Sequence, residues 1–317
     1  MNGHRKIAIL GAGNVGATIA YTLTIQGSAS EIVLVDINRE KSQGEAIDIF
    51  QGTAFSPPVD IYAGDFSDCW NSDIIIVTVG HPRKPGQTRI DLAQSNVNII
   101  KSVMDKVYPH APDSIYVIVS NPVDILTYTI QKLYDIPKGK IFGTGTILDS
   151  ARLRALLADY TELNPKNIHA YVFGEHGETS FIPWSLATIG GMHISTYCMA
   201  DARCRQFFQE SDFDKIDADM RSSGAKVISL KGATFYAIAL SVARICDCIL
   251  RDTGSLLTVS TMLHGQYGIE DVCLSLPYVI GSGGITRELS PPLAPEETDK
   301  LRHSANALKE VIASLDI

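Results

Sequence analysis

The sequence predicts an α/β protein in which a doubly wound, mostly parallel sheet is followed by an α+β unit. Two observations predict the sheet: short, continuous apolar runs alternate with helical segments through the first half, and a glycine-rich turn separates the first run from the first helix. Continuous apolar runs are typical of parallel strands buried on both faces, which crossover helices connect. The pattern changes after about residue 165, and we place the domains at residues 1–145 and 146–317.

The elements of the first half follow from apolar runs and helical periodicity. Strands are predicted at residues 6–10, 31–35, 73–79, 115–120 and 140–143. Helices are predicted at about residues 14–27, 38–53, 91–107, 123–135 and 147–160. Each strand is followed by a helix, which predicts repeated right-handed βαβ units.

The second half predicts a different mixture of elements. Strand-like pairs surround Gly177 and the pair Gly190-Gly191, and one long helical stretch runs from about residue 212 to 251. Strands are expected near residues 255–264 and 273–289, before a final amphipathic helix that begins at Pro295. We therefore expect an α+β unit that packs against the first domain.

Composition and charge exclude several classes of function. The chain has 317 residues, of which 45% are hydrophobic, and its net charge of -8 disfavours a protein that binds the phosphate backbone of nucleic acids. The first apolar run covers only residues 7–10, whereas a membrane span needs roughly 18 residues. We expect no nucleic acid partner, no signal peptide, no membrane segment and a cytoplasmic location.

The six cysteines do not form a metal-binding pattern. They contain no C-x-x-C pair, and no histidine cluster stands beside them at zinc-ligand spacing. We expect no metal site and reduced thiols, and we interpret Cys246 and Cys248, in an apolar helical stretch, as small buried hydrophobic residues.

The glycine-rich turn predicts a dinucleotide site. The segment Gly11-Ala12-Gly13-Asn14-Val15-Gly16 follows the first strand and opens the first helix. Gly11 permits the tight turn, Gly13 lets a pyrophosphate approach the backbone, and Gly16 allows close packing of helix and sheet. The helix N-terminus then faces the phosphates.

An acidic residue refines the cofactor prediction. Asp36 follows the second strand, 20 residues after Gly16. A carboxylate there accepts hydrogen bonds from the ribose hydroxyls and repels the 2′-phosphate of NADP, so NAD is the predicted cofactor.

A histidine between glycines is the candidate catalytic group. His176 stands in Gly174-Glu175-His176-Gly177, after the apolar run 169–173. A single histidine of this kind is more often structural. However, Asp149 and Arg152, three residues apart at a predicted helix start, provide a carboxylate and a guanidinium on one helix face.

These motifs together resemble the L-lactate and malate dehydrogenase family over nearly the whole chain. The matching stretches are the glycine-rich turn, residues 84–92 (KPGQTRIDL), Ser120-Asn121-Pro122, residues 148–152 (LDSAR), Gly174 to Gly177, and residues 231–234 (KGAT). The resemblance implies a Rossmann-type NAD domain followed by a substrate and catalytic domain. The family's usual Asp after the second glycine of the histidine segment is Glu178 here, which keeps the charge.

The resemblance implies the following roles. His176 would protonate the substrate carbonyl, Asp149 would hold the imidazole and stabilise its charged form, and Arg152 would bind the substrate carboxylate through two hydrogen bonds. Arg89 would polarise the developing alkoxide when the loop around residues 80–90 closes, and Asn121 would orient the carbonyl and the nicotinamide.

The substrate loop and the remaining motifs predict different acids. Malate dehydrogenases of the family usually have Arg at the position of Arg83, whereas lactate dehydrogenases have Gln. An unpaired guanidinium buried over pyruvate would cost roughly 3–5 kcal/mol, so Arg83 favours oxaloacetate. The Gly174-Glu175-His176 segment, Trp184-Ser185 and Thr234, which would line the pocket, instead resemble bacterial L-lactate dehydrogenases. Pyruvate is therefore the alternative substrate, with Arg83 then directed to water.

Two further basic side chains resemble a regulatory site. Arg154 and His169 match the pair through which many bacterial lactate dehydrogenases bind fructose 1,6-bisphosphate at a subunit interface. The alternative is that both are ordinary surface or interface residues. The resemblance also implies a homo-oligomer, a tetramer or a dimer.

Two other classes of protein remain as alternatives. Tyr128 and Lys132 have the Tyr-x-x-x-Lys spacing of short-chain reductases, although those enzymes carry a different glycine fingerprint. A non-enzymatic NAD-binding protein is the second alternative, but the joint presence of His176, Asp149 and Arg152 argues against it.

Overall fold

The computed structural model describes residues 4–82, 88–207 and 211–317, with the main chain alone at residues 89, 203, 206, 207 and 211. Strands in these ranges are β1 Lys6–Leu10, β2 Glu31–Val35, β3 Asp60–Ala63, β4 Ile74–Val77, β5 Ile115–Ile118, β6 Ile141–Gly143, β7 Ile168–His169, β8 Thr188–Ile189, β9 Met192–His193, β10 Ser255–His264, β11 Glu270–Gly281 and β12 Gly284–Glu288. The α-helices are α1 Asn14–Gln26, α2 Arg39–Gln51, α3 Arg89–Val107, α4 Val123–Leu133, α5 Ile147–Thr161, α6 Ile194–Ala200, α7 Ala202–Phe207, α8 Ser211–Lys231, α9 Tyr236–Leu250 and α10 Pro295–Ala313.

The first half forms the predicted doubly wound parallel sheet. Its strands lie in the order β3-β2-β1-β4-β5-β6, and every pair in this part is parallel. The order reverses between β1 and β4, where the chain leaves β1 toward one edge and returns on the other side. Ligands of such sheets bind outside the carboxyl ends of the strands at this switch point. The topology therefore predicts a crevice next to Leu10 and Val77.

The second half extends the same sheet with antiparallel strands. β10 pairs with β6 at Ser260 and Gly143, and β11 and β12 follow in a meander. The predicted run 273–289 is in fact two strands, because Gly284, at φ +83°, turns the chain between them. A separate three-stranded sheet, β7-β8-β9, includes the hairpin predicted at Gly190-Gly191. The parallel fold followed by an α/β unit is thus confirmed.

Two predictions about elements are incomplete. The predicted helical stretch 212–251 is two helices, α8 and α9, because the helical conformation is interrupted at Gly232, whose φ is +86°. An L-residue with a Cβ rarely adopts this conformation, so the helix ends there. β3 is not predicted from the sequence because this edge strand is only partly buried and its four residues lack a continuous apolar run.

The main core lies along the parallel strands. All residues of β1, β4 and β5 are buried, which is the physical origin of the apolar runs that predict them. A second apolar cluster joins α5 to the small sheet and α8, and it includes Leu153, Leu157, Ile168 and Ile216. This second cluster anchors α5, whose first turn carries Asp149.

The cysteines divide into two groups. Cys69, Cys246, Cys248 and Cys273 are free and buried, as expected for small hydrophobic residues. Cys198 and Cys204 form a disulfide across the turn between α6 and α7, so the expectation of reduced cysteines is wrong for this pair. The six-residue separation is the reason, since the turn brings the two Cα atoms to 4.7 Å, within the range that a disulfide bridges.

The described ranges contain neither a membrane-spanning helix nor a cluster of metal ligands. None of the helices there is long and apolar enough to cross a membrane. The same ranges contain no group of three or more His, Cys, Asp or Glu side chains arranged to hold a metal ion.

Candidate active site

A cavity of about 560 Å³ lies at the predicted switch point. It extends from the turn after β1 to the connection between α8 and α9. Its walls include eight of the residues predicted from the sequence: Gly13, Asn14, Val15, Gly16, Asn121, Arg152, His176 and Thr234. The fold thus brings the glycine-rich turn and the histidine segment, which are 160 residues apart, to one cavity.

The glycine-rich turn has the shape that a dinucleotide phosphate requires. Gly11 has φ +102°, and a Cβ on Gly16 would lie 1.9 Å from the Gly11 carbonyl oxygen. A Cβ on Gly13 would meet no atom within 4 Å, so this glycine leaves open space at the cavity. No side chain caps the N-terminus of α1. Its N–H groups therefore suit the pyrophosphate of NAD.

Asp36 is fixed at the end of β2 by two main-chain donors. Its Oδ2 accepts a hydrogen bond from Ala12 N at 2.7 Å, and its Oδ1 accepts one from Asn38 N at 2.8 Å. Each carboxylate oxygen retains a second lone pair for a ribose hydroxyl. The carboxylate is thus held rigidly beside the glycine-rich turn, where a 2′-phosphate would meet a negative charge.

His176, Asp149 and Arg152 form one connected cluster. The imidazole Nδ1 of His176 lies 2.6 Å from Asp149 Oδ2, and the guanidinium of Arg152 donates to Asp149 Oδ1 at 3.1 Å. The Asp149 side chain is only 9% exposed, whereas that of His176 is 25% exposed. Asp149 therefore lies behind the histidine and the arginine, both of which line the cavity. Because Asp149 contacts Nδ1, the other imidazole nitrogen, Nε2, is the one that can exchange a proton with a substrate.

The charges of this cluster shift the pKa values of its members. Burial opposes ionisation of His176, but the neighbouring carboxylates, Asp149 before Asp124, together outweigh burial, so the pKa of His176 is raised above its ordinary value. Burial likewise opposes ionisation of Asp149, yet His176 and Arg152 lower the pKa of that carboxyl below its ordinary value. The pair therefore favours imidazolium against carboxylate, which suits a histidine that donates a proton near neutral pH.

β11 holds the two segments that carry the cluster. Ser275 Oγ accepts a hydrogen bond from Thr146 N at 3.1 Å, just before α5. The main chain of Ser275 also pairs with Gly174 in both directions, at 3.1 and 2.9 Å. The Thr146 hydroxyl in turn donates to the Val172 carbonyl. This strand therefore fixes Asp149 and His176 relative to each other.

Two residues of the site were not singled out from the sequence. Asp124 Oδ2 accepts a hydrogen bond from the main-chain N–H of His176 at 2.7 Å, and its Oδ1 accepts one from Ser260 Oγ at 2.5 Å. Burial raises the pKa of Asp124 to about 6. The available signal was its place two residues after the Ser120-Asn121-Pro122 motif, but its partners lie 52 and 136 residues away in the chain.

The second such residue is Asn96, which is buried in α3. Its Oδ1 accepts from His81 N at 2.8 Å, and its Nδ2 donates to the His81 carbonyl at 3.2 Å and to the Asn121 carbonyl at 2.7 Å. One amide therefore joins the start of the substrate loop to the segment that carries Asn121. Its local sequence contained no signal beyond a polar residue on an apolar helix face.

Two predicted arginines lie wholly or partly outside the described residues. Arg83 is not among them, and Arg89 is described only as the first residue of α3. The capping box at Thr88 and Asp91 nevertheless fixes where that helix begins.

The other candidate sites lie apart from the cavity walls. Arg154 on α5 donates two hydrogen bonds to the Pro165 carbonyl, at 3.2 and 2.9 Å, and His169 is exposed on β7. Tyr128 and Lys132 both contact Asp271, at 3.3 and 3.0 Å, and neither lines the cavity. This placement argues against the short-chain reductase interpretation.

Comparison with known families covers nearly the whole chain. Residues 5–143 match the model described as lactate/malate dehydrogenase, NAD binding domain. Residues 146–316 match the model described as lactate/malate dehydrogenase, alpha/beta C-terminal domain.

Individual relatives and solved structures agree with these matches. The chain is 46% identical to an L-lactate dehydrogenase of Thermoanaerobacterium saccharolyticum and 48% identical to one of Thermoanaerobacter sp., over 98% of this chain and 99% of each relative. Among solved structures, it is similar to the minor L-lactate dehydrogenase of Enterococcus mundtii, at 35% identity, a TM-score of 0.94 and 99% coverage of both chains. A lactate dehydrogenase from a Medee basin deep-sea metagenome library also gives a TM-score of 0.94, at 34% identity and 98% coverage of both chains. NAD is the cofactor, and the chain belongs to the lactate/malate dehydrogenase family of NAD-dependent 2-hydroxyacid dehydrogenases.

Proposed function

We propose that the chain interconverts pyruvate and L-lactate with NADH and NAD⁺. The observation that carries the proposal is the His176–Asp149 pair beside Arg152 on the wall of a cavity that also contains the dinucleotide turn. The relatives named L-lactate dehydrogenase, with identities of 46% and 48% over almost the whole chain, support pyruvate as the acid.

In the proposed reaction, the bound NADH supplies the hydride that reduces the keto carbon. His176 donates a proton to the carbonyl oxygen as negative charge develops there, and in the reverse direction its neutral form accepts the hydroxyl proton. Asp149 fixes the ring through Nδ1 and stabilises the imidazolium. Arg152 provides the positive charge for the substrate carboxylate, in a geometry that lysine cannot reproduce.

Four further residues complete the proposed site. Asn121 and Thr234 line the cavity and would orient the substrate. Arg89 would polarise the substrate oxygen, and closure of the loop around residues 80–90 would exclude water. Asp36 would bind the ribose hydroxyls of NAD. Residues 1–145 would bind the cofactor and residues 146–317 the substrate, a division that the two family matches support.

Oxaloacetate is the second candidate substrate. The sequence favours it through Arg83, whose guanidinium would pair with the second carboxylate of that acid. The relatives support pyruvate more strongly than they support this preference. Arg83 would then face water in the pyruvate complex, and its charge would produce only a residual activity with oxaloacetate.

The test is the ratio of kcat/KM for the two acids in the wild-type enzyme and in Arg83→Gln. We expect pyruvate to have the higher value, and we expect R83Q to lower the oxaloacetate value at least about tenfold, equivalent to ~1.4 kcal/mol. Lys84→Gln removes the neighbouring charge and is the matched control, with a smaller effect. A higher wild-type value for oxaloacetate would reject the pyruvate assignment.

Assembly and regulation are proposed on narrower grounds. We expect a homo-oligomer, a tetramer or a dimer, and we retain fructose 1,6-bisphosphate as the candidate effector of Arg154 and His169. The effector would have to compete with the Pro165 carbonyl for the Arg154 guanidinium. Calorimetric titration with fructose 1,6-bisphosphate tests this, and an unchanged KM, turnover and oligomer size at saturating effector would reject it.

A further inference from the structure

The proposed reaction leaves one buried carboxyl beside the catalytic histidine without a role. Asp124 lies in the first turn of α4 and is only 4% exposed. It approaches His176 from another side than Asp149, because it contacts the main chain of the histidine and not its ring. Two carboxyls from two helices therefore hold one residue.

The contacts of Asp124 use both of its oxygens. Oδ2 accepts from the main-chain N–H of His176 at 2.7 Å, and Oδ1 accepts from the Ser260 hydroxyl at 2.5 Å. Ser260 is fully buried on β10, at its pairing with β6. Asp124 thus anchors the histidine segment to the centre of the sheet.

Within residues 4–82, 88–207 and 211–317, charged groups from three elements and the histidine segment act on this pair. Asp149 and Arg152 face His176 from α5, and Asp124 faces it from α4. Glu175 from the same segment raises the pKa of Asp124, and Asp124 in turn raises the pKa of the buried Cys273 thiol on β11. Burial lowers the pKa of His176. The carboxylates of Asp149 and, to a smaller extent, Asp124 raise this pKa, and the positive charge of Arg152 lowers it.

We propose that Asp124 is a positioning residue of the active site. It fixes the main chain of His176 through a hydrogen bond, and its negative charge stabilises the imidazolium. This inference rests on the proposed function for its kinetic consequence. Its electrostatic part concerns the histidine alone and can be measured without turnover.

An isosteric substitution separates the charge from the hydrogen bonds. In Asp124→Asn, the amide oxygen can still accept from His176 N, and the amide N–H can donate to Ser260, because a hydroxyl both donates and accepts. D124N therefore removes the charge and keeps both contacts. Ser260→Ala is a second variant in which the carboxyl remains, but the lost hydrogen bond raises its pKa and so weakens the charge near neutral pH.

Ser304→Ala is the matched control for a purely structural defect. The Ser304 hydroxyl accepts from Glu175 N at 2.9 Å and lies 2.9 Å from the Thr179 hydroxyl, so it also supports the histidine segment. It carries no charge. S304A can loosen this segment without altering the electrostatics of His176.

The decisive measurement is the pKa of His176, determined by an NMR pH titration of ¹³C-labelled histidine in the NAD⁺ complex. The resonance is assigned by its loss in His176→Asn. We expect D124N to lower this pKa by about half a unit to one unit, S260A to lower it less, and S304A to leave it in place. A shift below about 0.2 unit in both D124N and S260A overturns the proposal.

Kinetics in both directions separate this inference from the proposed function. Reduction needs the imidazolium and oxidation needs the neutral ring. At a pH between the His176 pKa of D124N and that of the wild-type enzyme, D124N should therefore slow reduction of the keto acid more than oxidation of the hydroxy acid. S304A should affect both directions alike, and equal losses in D124N would contradict the electrostatic role. A wild-type enzyme inactive on both acids would reject the proposed function but leave the NMR result interpretable.

Discussion

At the residue scale, the charge state of His176 links the structure to the pH dependence of the reaction. Burial acts against its charge, but Asp149 and Asp124 raise its pKa above the ordinary value of about 6.5. A raised pKa means that the imidazolium persists to higher pH. We expect kcat/KM for reduction to fall as pH rises through this pKa and kcat/KM for oxidation to rise over the same interval, which steady-state pH profiles can check. Parallel profiles in the two directions would contradict this assignment.

Asp149 supports the ring directly, so its charge can be tested in the same way. Asp149→Asn keeps the shape of the side chain but removes the charge opposite the imidazolium, and we expect kcat to fall about 10²-fold or more. The dissociation constant of NADH, measured by its fluorescence, should change little. Asp159→Asn makes the same change at an exposed position of α5 and should leave kcat unaltered. A normal kcat in D149N would remove Asp149 from the mechanism.

The proposed role of Asp36 is to select NAD over NADP. Asp36→Ser removes the charge that opposes a 2′-phosphate, and we expect the preference for NADH over NADPH in kcat/KM to fall at least about tenfold. The variant should also lose about 1–3 kcal/mol of unfolding free energy, because the buried N–H of Ala12 loses its acceptor.

Asn38→Ala is the control for that structural effect. The Asn38 side chain caps α2 by accepting from Lys41 N at 3.0 Å. Its loss should cost about 1 kcal/mol without altering the cofactor preference. An unchanged preference in D36S would show that another residue excludes NADPH.

Residues whose chemistry is local could be identified from the sequence, and residues whose partners are distant could not. Gly11, Gly13 and Gly16 stand in one turn, and Asp149 and Arg152 lie one helical turn apart. Asp124 and Asn96 gain their importance only from contacts with His176, His81 and other distant segments. The sequence shows a polar residue at each of these positions but not what it will contact.

At the element scale, α3 connects the substrate loop to the rest of the site through Asn96. Asn96→Ala leaves the main chain of His81 and the Asn121 carbonyl without their buried partner. We expect KM for the keto acid to rise and kcat to fall, each several-fold, because the loop no longer starts from a fixed position, while binding of NADH should weaken less.

The same helix provides the control. Gln94 pairs its side-chain amide with the main chain of Asp316, at 3.2 and 2.9 Å, in the same bidentate manner. Gln94→Ala should loosen the C-terminus and leave the kinetic constants unchanged. If N96A behaves like Q94A, the amide does not position the loop.

The elements themselves were predictable where burial dominates their sequence. β1 and β2 have the predicted bounds because both consist almost entirely of buried apolar residues. The break between α8 and α9 was missed because helical periodicity continues across it, and only Gly232 marked the change. That break brings Thr234 to the cavity wall. The missed feature of the fold is therefore also one that forms the site.

At the scale of the whole molecule, the single nine-stranded sheet explains how two halves of the chain build one site. The doubly wound sheet was predicted from the alternation of strands and helices in the first half, and its strand order places the switch point between β1 and β4. The antiparallel extension by β10 and β11 was not, since the strand pairing between β6 and β10 joins residues more than 100 positions apart. This extension carries Ser260 and Ser275, which fix the segments of His176 and Asp149.

The central claim is that His176 is the proton donor in a reduction that NADH drives. The most direct measurement is the single-turnover rate of NADH oxidation at saturating pyruvate, in the wild-type enzyme and in His176→Asn. We expect a rate at least about 10²-fold lower in the variant, with an unchanged dissociation constant for NADH. Equal rates in the two proteins would contradict it.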